Sequence, residues 1–379
     1  MMKKTLTLLV AMAMLISVIM PTAVKAIPGD DLRIIPVIVN GLKVRFPDTE
    51  PYINTDGRTM VPVRFVSEKL GAEVLWEHDT QTAIVNYEEK SIRLPLDSKH
   101  ISVNGNEEEL DTAAEKHEGR TMVPLRFVSE VLGSQVKWDD DAHSVQIIDE
   151  AYQKKIDAGE VKLDPWGREY VDEFYNGWMN LKDLELYGFY EQFSWASPES
   201  EEFITGIKGW TFKTFADQWG EHIKDYYAAQ LNVDYRTIDK SSFTQQLMKN
   251  MSGRSDYEMY QNEQIISEYV DWVKENKIIA KGYADPELSQ VSKTDSIISV
   301  PVYFKFKIIS AEDTSQVFLD NWKVSPASDS FELEKEVWYG GYAYLGLNTN
   351  AGNYKQEHYA VDRFENMFTK LTYKYEILQ

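Results

Sequence analysis

Apolar and polar residues alternate from Val37 to Phe46, with Val37, Val39, Leu42, Val44 and Phe46 spaced around Asn40-Gly41. An Asn-Gly pair between alternating strands predicts a type I′ hairpin, because both central residues of that turn need positive φ. The period then changes. Gly57 suits a turn, Thr59-Met60-Val61 reads as a short strand, and Pro62 sits where a helix begins without losing a hydrogen bond. Val63, Val66 and Leu70 fall at i, i+3 and i+7, an apolar helical stripe that Gly71 ends in the left-handed conformation. Trp76 follows on a strand, and Ala83-Ile84-Val85 returns beyond a polar turn.

The same pattern then recurs. Residues 57–76 and 119–138 are identical at 15 of 20 positions at an offset of 62. Asn104-Gly105 repeats the hairpin signal, although Glu107, Glu108 and Glu109 predict an exposed return strand. A repeat of this fidelity governs every later reading of the chain. Two units, about 33–90 and 91–150, form residues 27–150. Each is expected to run hairpin, strand, short helix, hairpin, with Trp76 or Trp138 as the main aromatic of its core; the alternative is that both are exposed sugar or partner platforms, duplicated for avidity.

This motif (GRTMVPxRFVSExLG between an Asn-Gly hairpin and a Trp-bearing strand) resembles the copper amine oxidase N-terminal, or stalk, domain family. The residues that carry the resemblance are Gly57, Arg58, Pro62, Arg64, Phe65, Glu68, Gly71 and Trp76, then Gly119, Arg120, Pro124, Arg126, Phe127, Glu130, Gly133 and Trp138. The second copy departs from the first at Ala113 to Glu118, where the first has Pro51-Tyr52-Ile53. The resemblance implies a small antiparallel sheet wrapped around a helix, a non-catalytic appendage often duplicated on exported proteins of Gram-positive bacteria. It does not imply copper. The oxidase domain of those enzymes needs a Thr-x-x-Asn-Tyr-Asp/Glu setting and a His-x-His pair. Here Asn86-Tyr87-Glu88 has its nearest threonine, Thr82, one residue too far, and the six histidines include no His-x-His. Amine oxidase activity is not expected, nor any metal or cofactor.

Beyond residue 150 the chain is a different object. Seven aromatics lie between 27 and 150 and forty-one beyond. Asp157 to Asp164 reads as a linker. Phe212, Phe215, Trp219, Ile223, Tyr226 and Leu231 form one helical stripe, and a shorter helix starts at Ser242 and stops at Gly253. A further stripe from Met259 to Val273 follows Asp256 as N-cap. From Ser296 the period becomes two, with Ile298, Val300, Val302, Phe304 and Phe306 alternating. Val317 to Val324 and Val337 to Leu347 are expected as further strands, Val361 to Leu371 as a last helix, and Thr372 to Ile377 as a tail strand. Helices followed by antiparallel strands predict an α+β fold for residues 151–379.

Charge and composition narrow the function. The net charge is −21, which disfavours nucleic-acid binding, and the absence of cysteine excludes disulfides, thiolate metal sites and a cysteine nucleophile. Lys3-Lys4, an apolar run from Leu6 to Met20, Pro21 and Val24-Lys25-Ala26 have the anatomy of a cleaved export signal. The mature chain is expected to start at Ile27, without a transmembrane segment, and to be secreted or held at the cell envelope.

Candidate chemistry is sparse. Asp139-Asp140-Asp141 lacks the spacing of a calcium loop and reads as a solvated turn. Arg64/Glu68 and Arg126/Glu130 read as helix-surface pairs. His222 and His358 lie beside acids, and Glu199, Glu201 and Glu202 follow Pro198, but each has an ordinary structural explanation. Trp195, Trp210 and Trp219 read mainly as core. The most suggestive cluster is Trp338, Tyr339 and Tyr342 around Gly340-Gly341, where paired glycines in a strand permit close approach of a ligand. The expected function is therefore a non-catalytic, envelope-associated protein whose stalk presents a C-terminal binding domain to cell-wall glycan or another envelope protein. The alternatives are a secreted hydrolase of envelope glycan or peptide and a purely structural surface component.

Overall fold

The two copies of the repeat do not build two separate sheets. In the computed structural model, which describes residues 34–174, 178–181, 212–253, 255–294, 297–323, 333–349, 359–362, 366 and 376–378, their strands interleave. The first copy supplies β1 (Val37–Val39), β2 (Leu42–Lys43), β3 (Tyr52–Ile53), β4 (Thr59–Pro62), α1 (Val63–Lys69), β5 (Glu73–Glu77) and β6 (Thr82–Tyr87). After β7 (Lys90–Pro95), the second supplies β8 (His100–Val103), β9 (Asn106–Glu109), β10 (Glu115–His117), β11 (Arg120–Pro124), α2 (Leu125–Leu132), β12 (Gln135–Asp139) and β13 (Ser144–Ile148). The expected export signal lies outside the described residues.

Each copy's closing hairpin shares a sheet with the other's opening hairpin. One sheet runs β12-β13-β1-β2, with β13 and β1 parallel, and another runs β5-β6-β7-β8-β9. Between them β10-β11-β4-β3 joins the copies through the antiparallel β11–β4 pair. The local expectations hold: Asn40 and Gly41 have φ of 48° and 77°, Pro62 precedes α1, and Val63, Val66 and Leu70 are buried. The β9 strand is formed, and all four of its residues are exposed. The divergent stretch of the second copy still pairs, as β10 against β11. One apolar core serves both copies, holding Val39, Val61 and Val66 of the first with Val123, Phe127 and Ile147 of the second.

The segment expected as a linker, Asp157 to Asp164, is largely exposed until Asp164, which is buried, and a helix precedes it. Helix α3 (Glu150–Asp157) is capped by Asp149, which accepts the Tyr152 N–H at 2.7 Å, and leads to β14 (Lys162–Leu163). Asp164 then closes a buried turn by accepting the N–H groups of Trp166 and Arg168, both at 2.9 Å. Next come β15 (Glu169–Phe174) and β16 (Trp178–Leu181). Gly41 meets β15 closely, its carbonyl accepting the Glu169 N–H at 2.8 Å. A Cβ there would lie 2.9 Å from that nitrogen, so the turn glycine also permits the contact.

The remainder is α+β. Helices α4 (Phe212–Leu231), α5 (Lys240–Asn250) and α6 (Asp256–Glu275) cover one face of a six-stranded sheet. That sheet is built from β17 (Ile279–Pro286), β18 (Ser292–Thr294), β19 (Ile297–Ser310), β20 (Trp338–Thr349), β21 (Tyr359–Val361) and β22 (Glu376–Leu378). Phe215, Trp219, Ile223 and Tyr226 pack against Val300, Val302, Phe304 and Phe306, as the two periodicities require. Ser255, not Asp256, caps α6 by accepting the Glu258 N–H. Val317 to Asn321 is a buried turn instead of a strand, because Asp320 accepts hydrogen bonds from Tyr226 (2.7 Å) and Tyr227 (2.8 Å). Val361 ends a strand, and the rest of the expected last helix falls almost wholly outside the described residues. Among the described residues no helix is long and apolar enough to cross a membrane.

Candidate functional site

The β20 cluster is divided by the pleat of its own strand. Tyr339 turns into the core and stacks on Phe306 with ring centroids 5.5 Å apart. Trp338 and Tyr342 stand on the opposite face, half-buried, beside Tyr303 and Lys305 of β19. Three residues proposed to meet one ligand therefore serve two surfaces, since neighbours along a strand point to opposite sides. The face carrying Trp338 and Tyr342 is directed toward the duplicated module. Arg45 lies 4.6 Å from the Tyr303 ring centroid and 5.6 Å from that of Tyr342.

This junction is ionic and largely buried. Lys43 donates to Asp285 at 2.7 Å and to Glu287 at 3.2 Å, with all three side chains buried. Arg45 also pairs with Asp285 and Glu287, and Arg168 pairs with Glu287. Burial works against the Glu287 charge, yet Lys43, Arg168 and Arg45 together hold its carboxyl far below the usual carboxylate range. Burial pushes the Lys43 ammonium down, with Asp285 and Glu287 opposing it. Nearby, Glu50 accepts from Tyr283 at 2.7 Å and pairs with Lys305 at 3.3 Å, and burial raises its carboxyl above the ordinary value. The sequence reading missed this network because Lys43 and Arg45 occupy the polar face of a hairpin whose other face is core.

A groove of about 340 Å³ lies elsewhere, on the module itself. Its walls are Phe65 at the end of the first turn of α1, Val74, Leu75 and Trp76 of β5, and Ala83 of β6. Its other side is the β10–β11 turn of the second copy, with Lys116, Gly119, Arg120 and Thr121. Arg64 and His78 complete a lining that includes no Asp or Glu. Arg120 lies over the Phe65 ring at 5.6 Å and donates from Nε to Asp48 at 2.7 Å. Burial would raise the Asp48 carboxyl, but the hydrogen bonds and charge of Arg120 hold it below its ordinary value. Trp76 is half-buried and flanked edge-on by His78. It forms a groove wall and at the same time packs, half-buried, against the apolar core of the module.

Of the motif's charged pairs, the first forms on its helix. Arg64 Nε is 3.9 Å from Glu68, a loose exposed pair. Arg126 is 4.0 Å from Asp111, which also holds Arg58 at 2.6 Å; the Glu130 side chain lies outside the described residues. Gly57, Gly71, Gly119 and Gly133 all have positive φ, at turns or helix ends.

The remaining candidates divide between side chains with local partners and residues outside those described. His222 Nδ1 lies 2.9 Å from Asn250 Oδ1, while its sequence neighbour Glu221 faces His143 at 3.4 Å. Asp139 and Asp141 do converge, with Asp217 of α4, as a trio of possible metal ligands among the described residues. Lys213 is already there, 2.9 Å from Asp139 and 2.6 Å from Asp217. Trp195, Trp210, His358, Glu199, Glu201 and Glu202 lie outside the described residues. Trp138 repeats the Trp76 contact, edge-on to His143, but its turn is docked on α4 through Lys224, which donates to the Ala142 carbonyl at 2.9 Å.

No curated protein matches the chain. The interleaved sheets, the paired helices after Pro62 and Pro124, and the twin tryptophan strands all fall within one matched segment. Residues 38–147 match the family model of the copper amine oxidase N-terminal domain, so the family resemblance holds across both copies of the module.

Proposed function

We propose that the protein is an exported, non-catalytic binding protein of the cell envelope, in which the duplicated module carries the C-terminal α+β region in a fixed orientation. The observation that supports this reading is the buried ionic junction of Lys43, Arg45 and Arg168 with Asp285 and Glu287. Charged pairs at such depth require close geometry, because separating them would leave uncompensated buried charge. A stalk joined in this way presents its cargo rigidly. The ligand expected of it is cell-wall glycan or another envelope protein.

The test is to mix the chain from Ile27 with purified cell walls of a Gram-positive bacterium, sediment the walls and assay the supernatant. Co-sedimentation without release of reducing ends or free amines is the expected result. Turnover of the wall would replace the reading with a secreted hydrolase, and failure to sediment would remove it.

A further inference from the structure

We propose that the groove between α1–β5 of the first copy and the β10–β11 turn of the second is a saccharide site selective for an anionic sugar. The inference deepens the binding reading above by naming a site and a ligand chemistry on the module. Two features of the groove carry it. The first is charge: in a chain of net charge −21, the groove lining holds Arg64, Lys116 and Arg120 and no carboxylate, and with Arg120 held by Asp48 the cations it offers are Lys116 and Arg64. Lys116 is exposed, and Arg64 has only its loose pair with Glu68, so both cations are open to an incoming anion. The second is shape and polarity. A pyranose has an apolar C–H face and a hydroxylated edge, and the groove offers Trp76 and Phe65 against Gln81 and Thr121. Its volume, about 340 Å³, is at the small end of ligand sites.

The duplication supplies an internal comparison. At the same offset, the second copy replaces Leu75 with Lys137 and His78 with Asp140, and the position of Lys116 corresponds to Asn54. The turn beside Trp138 is thus Asp139-Asp140-Asp141, which repels an anion, and it is docked on α4. One site per chain follows, although the tryptophan is duplicated. The site also needs both copies, since its two sides come from different repeats.

Calorimetric titration of the chain from Ile27 tests this with three probes: oligogalacturonate, glucose 6-phosphate and neutral maltotriose. An anionic probe is expected to bind at one site at least tenfold more tightly than maltotriose, weakening with salt. The carboxylate and phosphate arms then distinguish which anion is preferred. Lys116→Glu and Arg64→Glu, both at exposed positions, should each weaken that binding about tenfold with an unchanged melting temperature. Trp76→Ala should abolish it while Trp138→Ala leaves it. Equal affinity for maltotriose, absence of binding by either anion, or indifference to both charge reversals would overturn the proposal. If the charge reversals are silent while wall co-sedimentation persists, the groove alone is excluded and the wider binding reading stands. If an anionic sugar binds but walls do not sediment the protein, the reverse holds.

Discussion

Val61 and Val123 face each other across β4 and β11, at the point about which the duplication is symmetric. On either side Met60 pairs with Pro124 and Pro62 with Met122, the same pairing read in both directions. Both valines are fully buried. A single substitution at this point therefore acts on both repeats. Val61→Asn, which buries an amide without a partner, should cost on the order of 3 kcal/mol. The loss should appear as one transition in which resonances of both copies disappear together. Survival of the second copy's signals after the first has unfolded would contradict the shared core.

Removing Glu287 should be far more damaging than removing an exposed acid. Glu287→Ala removes one buried partner from each of Lys43, Arg45 and Arg168, and is expected to lower stability by about 3–5 kcal/mol in urea titration. Glu312→Ala, which removes the solvent-exposed partner of Lys277, should not shift the midpoint measurably. Equal effects would show that the junction is not closed in solution.

The buried carboxyls also predict a pH dependence. Burial raises the carboxyls of Glu50, Asp164 and Asp217 above their ordinary values, against the lowering effect of their donors. A group whose folded pKa is raised favours the protonated native state, so its contribution is complete below the unfolded pKa and is lost as pH rises through the folded one. Stability should therefore increase on mild acidification from neutral pH toward about 5, before the unfolded-state counterparts of the lowered Glu287, Asp48 and Asp139 carboxyls take up protons and reverse the trend. Glu50→Gln retains an acceptor for Tyr283 and Lys305 and should flatten that rise. A slope unchanged by Glu50→Gln would remove Glu50 from the account.

The Asp139–Asp141–Asp217 trio should ignore calcium while Lys213 supplies its counter-charge. Neither calcium nor a chelator should move the melting temperature of the parent chain. Lys213→Ala should lower that temperature, and calcium should restore part of the loss. A calcium shift in the parent would mean that the ammonium is readily displaced.

Much of the module was legible because its signals are local. Asn40-Gly41, Pro62 and Gly71 each impose one backbone conformation whatever lies around them. What joins the copies is not local: nothing within Val37–Val39 indicates that its parallel neighbour is Val145–Ile147. The periodicity of β19 likewise identified its buried side but not what covers the other. Lys43 and Arg45 look solvated in sequence, and only the arrival of Asp285 and Glu287 makes them a junction. Trp76 illustrates the same limit at the candidate site. Its strand was clear, but a groove wall and a core aromatic have the same sequence signature. Its half-burial also implies that Trp76→Ala costs less than the roughly 3–5 kcal/mol of a fully enclosed ring.

The parallel β1–β13 pair has a mechanical consequence. Because the strands run in the same direction, the chain enters β1 at one end of the pair and leaves β13 at the other. Tension applied between the two ends of the module pulls these strands along their length, in shear. The hydrogen bonds across Val37–Val145 to Val39–Ile147 must then stretch together and cannot open one at a time. A tether drawn from its two ends would resist until that short clamp gave way, and both repeats would then be released in one step.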